Sequence, residues 1–358
     1  MKNIISIFLV IALLFNSGMV VCAQNQLEIS AKSAVVISAD TCEVVYSKNM
    51  NERLSMASTT KIMTAILALE YGASDKMQKV TTDMISVEGT SIGLLDSDEI
   101  SLKTLVKGML LESGNDAANA TAYIVGGSIP HFVDMMNNKA KEIGMNSTAF
   151  ETPSGLDGEN HYSTAFDMAL LGAYAIKNPE FRSICADKSD VVYYGNPPYR
   201  RVFTNHNKLL ELYDGTFGIK TGFTKKSGRC LVSAVEKDGK TLVAVTLNAP
   251  DDWNDHIKMY DYAFERVFSH QLTDSLNSIK LKVVGGVKNV INVESLSSVE
   301  YTTIASKLNY DSKIYIEQFV YAPVYKGDIV GKIEFYSGKT KLGEVPVCAK
   351  ETVLIKNS

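Results

Sequence analysis

The strongest folding instruction in this chain is a hairpin. Leu231-Val232-Ser233-Ala234-Val235 and Thr241-Leu242-Val243-Ala244-Val245-Thr246-Leu247 are two β-rich runs that flank Asp238-Gly239. That dipeptide supplies the positive backbone angles a tight turn between twisted strands demands. Near the other end, Ala34-Val35-Val36-Ile37-Ser38 and Glu43-Val44-Val45-Tyr46-Ser47 form a second pair across Ala39-Asp40-Thr41. Between the pairs, Thr81 to Ile176 is mostly helical in pattern. Leu102, Leu105, Val106, Met109 and Leu110 recur at helical spacing, and Ala117 to Ile124 read as another helix. Gly126-Gly127-Ser128 stop it, Pro130 opens the next, and Ala165 to Ile176 are helical again. Tyr193 to Pro198 are rich in turn formers, and Ile257 to Phe268 read as a closing helix. Strands, helices, strands, helix is the order of an α+β domain. Its terminal strands meet in one antiparallel sheet with helices against it.

Helical spacing ends near Leu276. Lys280-Leu281-Lys282-Val283-Val284, Lys313-Ile314-Tyr315-Ile316-Glu317, Lys332-Ile333-Glu334-Phe335-Tyr336 and Lys341-Leu342-Gly343-Glu344-Val345 read as short strands. Their turns fall at Gly285-Gly286, Gly327-Asp328 and Ser337-Gly338, so a small all-β domain is expected. The start of the chain has another purpose. Lys2 precedes an apolar run from Ile4 to Phe15, and Val21-Cys22-Ala23 offers a cleavage site after Ala23. The run is short for a membrane span, and the bulky Val21 disfavours acylation at Cys22. The expected organisation is a signal peptide at 1–23, a main domain at 24–275 and an all-β domain at 276–358.

Composition removes several function classes. With 36 basic and 40 acidic residues in a chain of 358, net charge is −4, and no like-charge block marks a nucleic-acid surface. Cys42, Cys185, Cys230 and Cys348 are too few and too scattered for a disulfide scaffold. The five histidines show no metal-binding spacing. No metal and no cofactor is expected.

Chemistry enters at Ser58-Thr59-Thr60-Lys61. On a helix beginning near Ser58, residues three apart share a face, so the amine reaches the hydroxyl. The free N–H groups of the helix start favour an oxyanion there. The apolar run that follows (Ile62, Met63, Ile66, Leu67, Leu69) buries the lysine and lowers its pKa, which makes it a usable base. Taken alone, the pattern equally fits an N-cap serine before an ordinary lysine. Two more short strings change the weighing. Ser113-Gly114-Asn115 sits between two helices, and Lys220-Thr221-Gly222 lies in an extended run. Ser-x-x-Lys, Ser-x-Asn and Lys-Thr-Gly in that order form the motif set of penicillin-binding proteins and class A β-lactamases, here with Gly114 where that set has aspartate.

Longer stretches sharpen the resemblance. Ser55-Met56-Ala57-Ser58-Thr59-Thr60-Lys61, Pro153-Ser154-Gly155-Leu156, His161-Tyr162-Ser163-Thr164-Ala165, Asn205-His206-Asn207 and Gly218-Ile219-Lys220-Thr221-Gly222-Phe223-Thr224 resemble the low-molecular-mass penicillin-binding proteins that are serine-type D-alanyl-D-alanine carboxypeptidases. Tyr321-Ala322-Pro323-Val324-Tyr325-Lys326-Gly327-Asp328 resembles their C-terminal β domain. The resemblance implies removal of the terminal D-alanine from peptidoglycan pentapeptides through an acyl-enzyme, outside the cytoplasmic membrane, with β-lactams as covalent inhibitors. By matching position it makes Ser58 the nucleophile, Lys61 its base and Ser113 the proton relay. Asn115 holds substrate and Lys61, Lys220 supplies charge, and Thr221 and Gly222 line the substrate strand. The N–H groups of Ser58 and Phe223 would form the oxyanion hole. Some members bind the substrate carboxylate with an arginine shortly after these strands. Asn248 to Asp255 holds none, so Thr221 and Lys220, or Arg229, are the candidates.

Two other readings are tested by the same residues. A D,D-endopeptidase acting on cross-links would share every motif. A class A β-lactamase would carry a Glu-x-x-Leu-Asn string between Asn115 and Lys220, and that string is absent. His161 and His206 are expected to be structural, and Trp253 to pack. The last stretch, Val347 to Ser358, is too short and strand-like for the amphipathic helix that anchors many relatives, which leaves peripheral membrane association without a clear C-terminal device.

Overall fold

The computed structural model describes residues 27–72 and 75–356, so the expected signal peptide lies outside the described residues. Among these residues the first strands are β1 (Ser33–Ser38) and β2 (Val44–Lys48). A 3-10 turn, Ala57–Thr60, leads into α1 (Lys61–Tyr71), which ends at Gly72 in the left-handed conformation, φ 96°. A short pair, β3 (Met77–Lys79) and β4 (Glu99–Ser101), precedes α2 (Leu102–Leu110), α3 (Asn115–Gly126), α4 (Ile129–Ile143), α5 (Ala165–Ala175) and α6 (Pro179–Ala186). Next come β5 (Ser189–Gly195), β6 (Pro198–Thr204), β7 (Thr216–Thr224), β8 (Gly228–Lys237), β9 (Lys240–Leu247) and α7 (Asp252–Phe264).

The main sheet has the order β2-β1-β9-β8-β7 and is antiparallel throughout. The strands from both ends of the region therefore meet, with Ser33 opposite Leu247. Alternate residues of one strand point to opposite faces, and here both faces are covered. Val35, Ile37, Val243 and Val245 join the large core under the helices. Ala34, Val36, Leu242 and Ala244 join a second core with Met259, Tyr260 and Ala263 of α7. That explains the unbroken apolar runs in β1 and β9.

The turn formers of Tyr193–Pro198 stand at the tip of a paired hairpin, β5 with β6, whose strands lack a clean alternating pattern. One expectation is corrected. The closing helix runs Asp252–Phe264, not Ile257 to Phe268. Its first turn holds Asp252 and Asp255, which suit the positive end of the helix dipole. Phe268–Leu272 is instead a strand, β10.

The remaining strands are β11 (Lys280–Val284), β12 (Val290–Ser295), β13 (Val299–Thr303), β14 (Asp311–Ile316), β15 (Phe319–Tyr321), β16 (Ile329–Ser337) and β17 (Thr340–Ala349). Six of them form a sheet in the order β14-β16-β17-β12-β11-β15 around their own core, which includes Leu281, Ile333, Phe335 and Val347. The seventh, β13, pairs with β10. That ribbon meets the tips of the main sheet. Ser38 Oγ donates to the Thr302 carbonyl at 2.5 Å, Thr302 N–H donates to Asp40 at 2.7 Å, and Thr303 Oγ1 donates to Glu43 at 2.6 Å.

Candidate active site

The turn that carries Ser58 is shaped by one strained residue and two close approaches. Ala57 sits at φ 48°, a conformation that costs a non-glycine residue energy. Gly155, at φ 88°, passes so near that a Cβ there would fall 2.0 Å from the Ala57 carbonyl oxygen. On the opposite side a Cβ on Gly222 would lie 3.1 Å from the Ser58 and Thr59 nitrogens. Glycine at both positions lets two backbones press against the nucleophile's turn. It also brings the Ser58 N–H beside β7, where the N–H of Phe223 is the next donor along the strand.

Beneath Ser58 stands Lys61, the first residue of α1 and fully buried. Its Nζ lies 3.0 Å from Ser58 Oγ, 2.7 Å from Asn115 Oδ1 and 2.6 Å from the Ser154 carbonyl oxygen. The amide oxygen and the carbonyl can only accept. A neutral amine has two N–H bonds for them and one lone pair, and the lone pair then faces the Ser58 hydroxyl. Electrostatics favours that state. Burial pushes the Lys61 pKa well below its ordinary value, Lys220 lowers it further, and Asp116 opposes the shift. Lys220 is also buried, and its pKa falls to about 8. Its Nζ donates to the Thr221 carbonyl at 3.0 Å.

Above this layer is a cleft of about 350 Å³ lined by Ser58, Ser113, Thr221, Gly222 and Phe223, with Thr90, His206, Lys208, Arg229, Asp252 and Trp253 completing its wall. That volume suits the end of a peptide. Ser113 occupies the left-handed region at φ 63°, between α2 and α3, a second strained residue beside the cleft. All eight residues singled out from sequence thus fall at one place, five in the wall and Lys61, Asn115 and Lys220 buried next to it. A wider groove of about 630 Å³, between Tyr315, Phe319 and Lys332, lies on the β module and holds none of them.

The histidines divide. His161 is buried, accepts from Glu151 N–H through Nδ1 at 2.9 Å and meets Thr60 Oγ1 through Nε2 at 2.9 Å. Burial lowers its pKa to about 4, so it stays neutral and braces the residue before Lys61. His206 lines the cleft, with Nε2 3.7 Å from the Glu112 carboxylate. Trp253, expected to pack, lines it too, 5.3 Å from the Arg229 guanidinium. Arg229 Nε and Nη2 both donate to Oδ1 of buried Asp252, at 3.0 and 2.6 Å. Neither His206 nor Trp253 announces itself in sequence, because each arrives on a loop or helix start whose path is set by tertiary packing. For Arg229 the register supplies a signal: it stands opposite Phe223, one residue beyond Lys220-Thr221-Gly222.

Comparison with known proteins agrees with this geometry. Residues 20–251 match the family model described as D-alanyl-D-alanine carboxypeptidase, and residues 275–354 match the C-terminal domain of penicillin-binding protein 5. The chain is 35% identical over 338 residues to the D-alanyl-D-alanine carboxypeptidase DacF of Bacillus subtilis, covering 91% of this chain and 87% of that protein. It is 30% identical over 347 residues to DacC of Escherichia coli, covering 91% and 84%. The crystal structure of the carboxypeptidase DacD from Francisella tularensis superposes with a TM-score of 0.65 at 27% identity, over 96% of this chain and 98% of that one.

Proposed function

The chain belongs to the D-alanyl-D-alanine carboxypeptidase family and is a penicillin-binding hydrolase of that specificity, and from this premise we propose how its residues divide the reaction. Ser58 Oγ attacks the carbonyl of the penultimate D-alanine while its proton passes to the Lys61 lone pair. The N–H groups of Ser58 and Phe223 hold the oxyanion. As the C–N bond breaks, Ser113 donates a proton to the departing amine, and Lys61 returns one to Ser113. D-Alanine leaves, water attacks the ester on Ser58, and the serine is released. Asn115 keeps Lys61 in place and binds the peptide backbone, while β7 from Lys220 to Phe223 pairs with the substrate as an added strand.

The observation that carries this reading is the three-way contact of Lys61 with Ser58, Asn115 and Ser154. For the substrate carboxylate the cleft favours Thr221 and Arg229. The guanidinium has five donors and Asp252 takes two, so donors remain for a second carboxylate. The substrate is the peptidoglycan stem peptide, and the enzyme acts outside the cytoplasm. We assign export to the signal at 1–23 and the division of the folded chain to 24–275 and 276–358. The test is to incubate the protein with a pentapeptide ending in D-Ala-D-Ala and with a cross-linked dimer. Release of D-alanine from the first supports the reading. Cleavage of the dimer alone replaces it with an endopeptidase. Rapid catalytic consumption of penicillin without a lasting adduct replaces it with a β-lactamase. Arg229→Ala should lower kcat/KM on the peptide by about tenfold or more, the value of one hydrogen bond between charged groups.

A further inference from the structure

Asp116 is buried beside the site, and the reaction as described gives it no task. It is the second residue of α3, directly after Asn115, and is 3% exposed. Its Oδ1 accepts from Ile92 N–H at 3.0 Å and from Ala117 N–H at 2.8 Å. Its Oδ2 accepts from Ser91 Oγ at 2.6 Å and from the N–H groups of Gly93 and Leu94, each at 3.1 Å. One carboxylate thus gathers four donors from the segment 91–94, which continues from the wall residue Thr90.

That loop acts back on the site. Asn115 N–H donates to the Thr90 carbonyl at 2.7 Å, and Asn115 Nδ2 donates to the Glu88 carbonyl at 2.7 Å. With its NH2 committed to Glu88, the amide must present Oδ1 to Lys61. The Asn115 orientation is therefore set by a loop that Asp116 anchors. We propose that Asp116 is a positioning residue for the hydrolysis, holding loop 88–94 so that the Glu88 and Thr90 carbonyls fix Asn115 against Lys61 while Thr90 forms the cleft wall. The proposal rests on Lys61 serving Ser58.

The same carboxylate acts on Lys61 through its charge. Around Lys61, Lys220 on β7 favours the neutral amine and Asp116 on α3 the charged one, with Ser58 and Asn115 as uncharged neighbours. His206 and Cys185 in turn face Lys220, and neutral His161 reaches the turn through Thr60.

Two variants separate position from charge. Asp116→Asn removes the charge and puts an NH2 where N–H groups must be accepted. Gly89→Ala keeps Asp116 but places a Cβ 2.6 Å from Asn115 Nδ2, which displaces the amide from the loop side. Both should lower kcat/KM and the rate of penicillin labelling by about 10- to 100-fold, the scale of a misplaced catalytic group. In Asp116→Asn the acid limb of the pH profile moves to lower pH, because a counter-charge to Lys61 is lost. In Gly89→Ala the limb stays in place. An Asp116→Asn protein with lowered Tm and a wild-type pH profile would overturn the proposal, as would wild-type kcat/KM in Gly89→Ala, which decides the matter where Asp116→Asn does not fold. Penicillin labelling of Ser58→Ala reports separately on the underlying reading: label that persists there overturns the Ser58 assignment and the proposal with it, whereas wild-type kcat/KM in Gly89→Ala overturns the role of the loop alone.

Discussion

At the scale of single residues, the contacts of Lys61 make the sharpest demands. Ser58→Ala should abolish both hydrolysis and covalent penicillin binding, since among the described residues Ser58 is the hydroxyl at Lys61 Nζ. Mass spectrometry of the treated variant checks this. Lys61→Ala should slow acylation by about 10²–10⁴-fold, the range of general-base help. The two lysines also predict a bell-shaped pH profile for kcat/KM. Activity rises with pH as Lys61 loses its proton, and burial and Lys220 place that limb well below the ordinary lysine range. It falls again near pH 8, where Lys220 loses its charge. A profile flat from pH 7 to 10 would remove the Lys220 charge from the mechanism. Ser58 and Lys61 were legible because i and i+3 on a helix are neighbours whatever surrounds them. The Ser154 carbonyl was not, because a backbone oxygen has no signature in sequence. Arg229 was visible as a candidate, but its pairing with Asp252 was not, since that depends on where α7 begins.

Elements explain why those residues meet. β7 reaches the Ser58 turn because Gly222 has no side chain. In Gly222→Ala the new Cβ presses on backbone atoms that cannot swing aside, so penicillin labelling should slow by about 10- to 100-fold. The accompanying loss of stability should stay within about 1–3 kcal/mol. Labelling rate and Tm, measured together, separate the two effects; an unchanged rate would mean that β7 is free to shift. The strands of the main sheet were readable from their apolar runs and the Asp238-Gly239 turn. The β5–β6 hairpin was hidden because its outward positions mix Val191, Tyr193, Arg200 and Val202, an alternation without a clear polar face. The closing helix was carried to Phe268, the first residue of β10, because only three residues separate that strand from α7, too few to interrupt a periodic pattern.

For the whole molecule, the two sheets have separate cores, yet the β10–β13 ribbon ties them at Ser38, Asp40 and Glu43. Protein ending at Asn277 keeps every residue of the cleft but loses the partner of β10 and the acceptor for buried Ser38 Oγ. Three hydrogen bonds to the tips of the main sheet go with that segment, each worth about 0.5–1.5 kcal/mol net, so Tm should fall by several degrees while penicillin labelling persists. Truncated protein that folds by circular dichroism but takes no label would show that the cleft depends on the C-terminal sheet.

The pairing of β1 with β9 also governs when this enzyme comes into being. Ser33 waits for Leu247, and the strand that should seed the sheet has its inner neighbour more than two hundred positions away. Closing so large a loop has to precede any reward from the contacts it makes, which slows folding. A nascent chain of two hundred residues already carries Ser58, Lys61 and Ser113, and still has neither β7 nor a completed sheet. It is therefore inert toward peptide and penicillin alike. The catalytic machine is assembled last, by the arrival of its final strands.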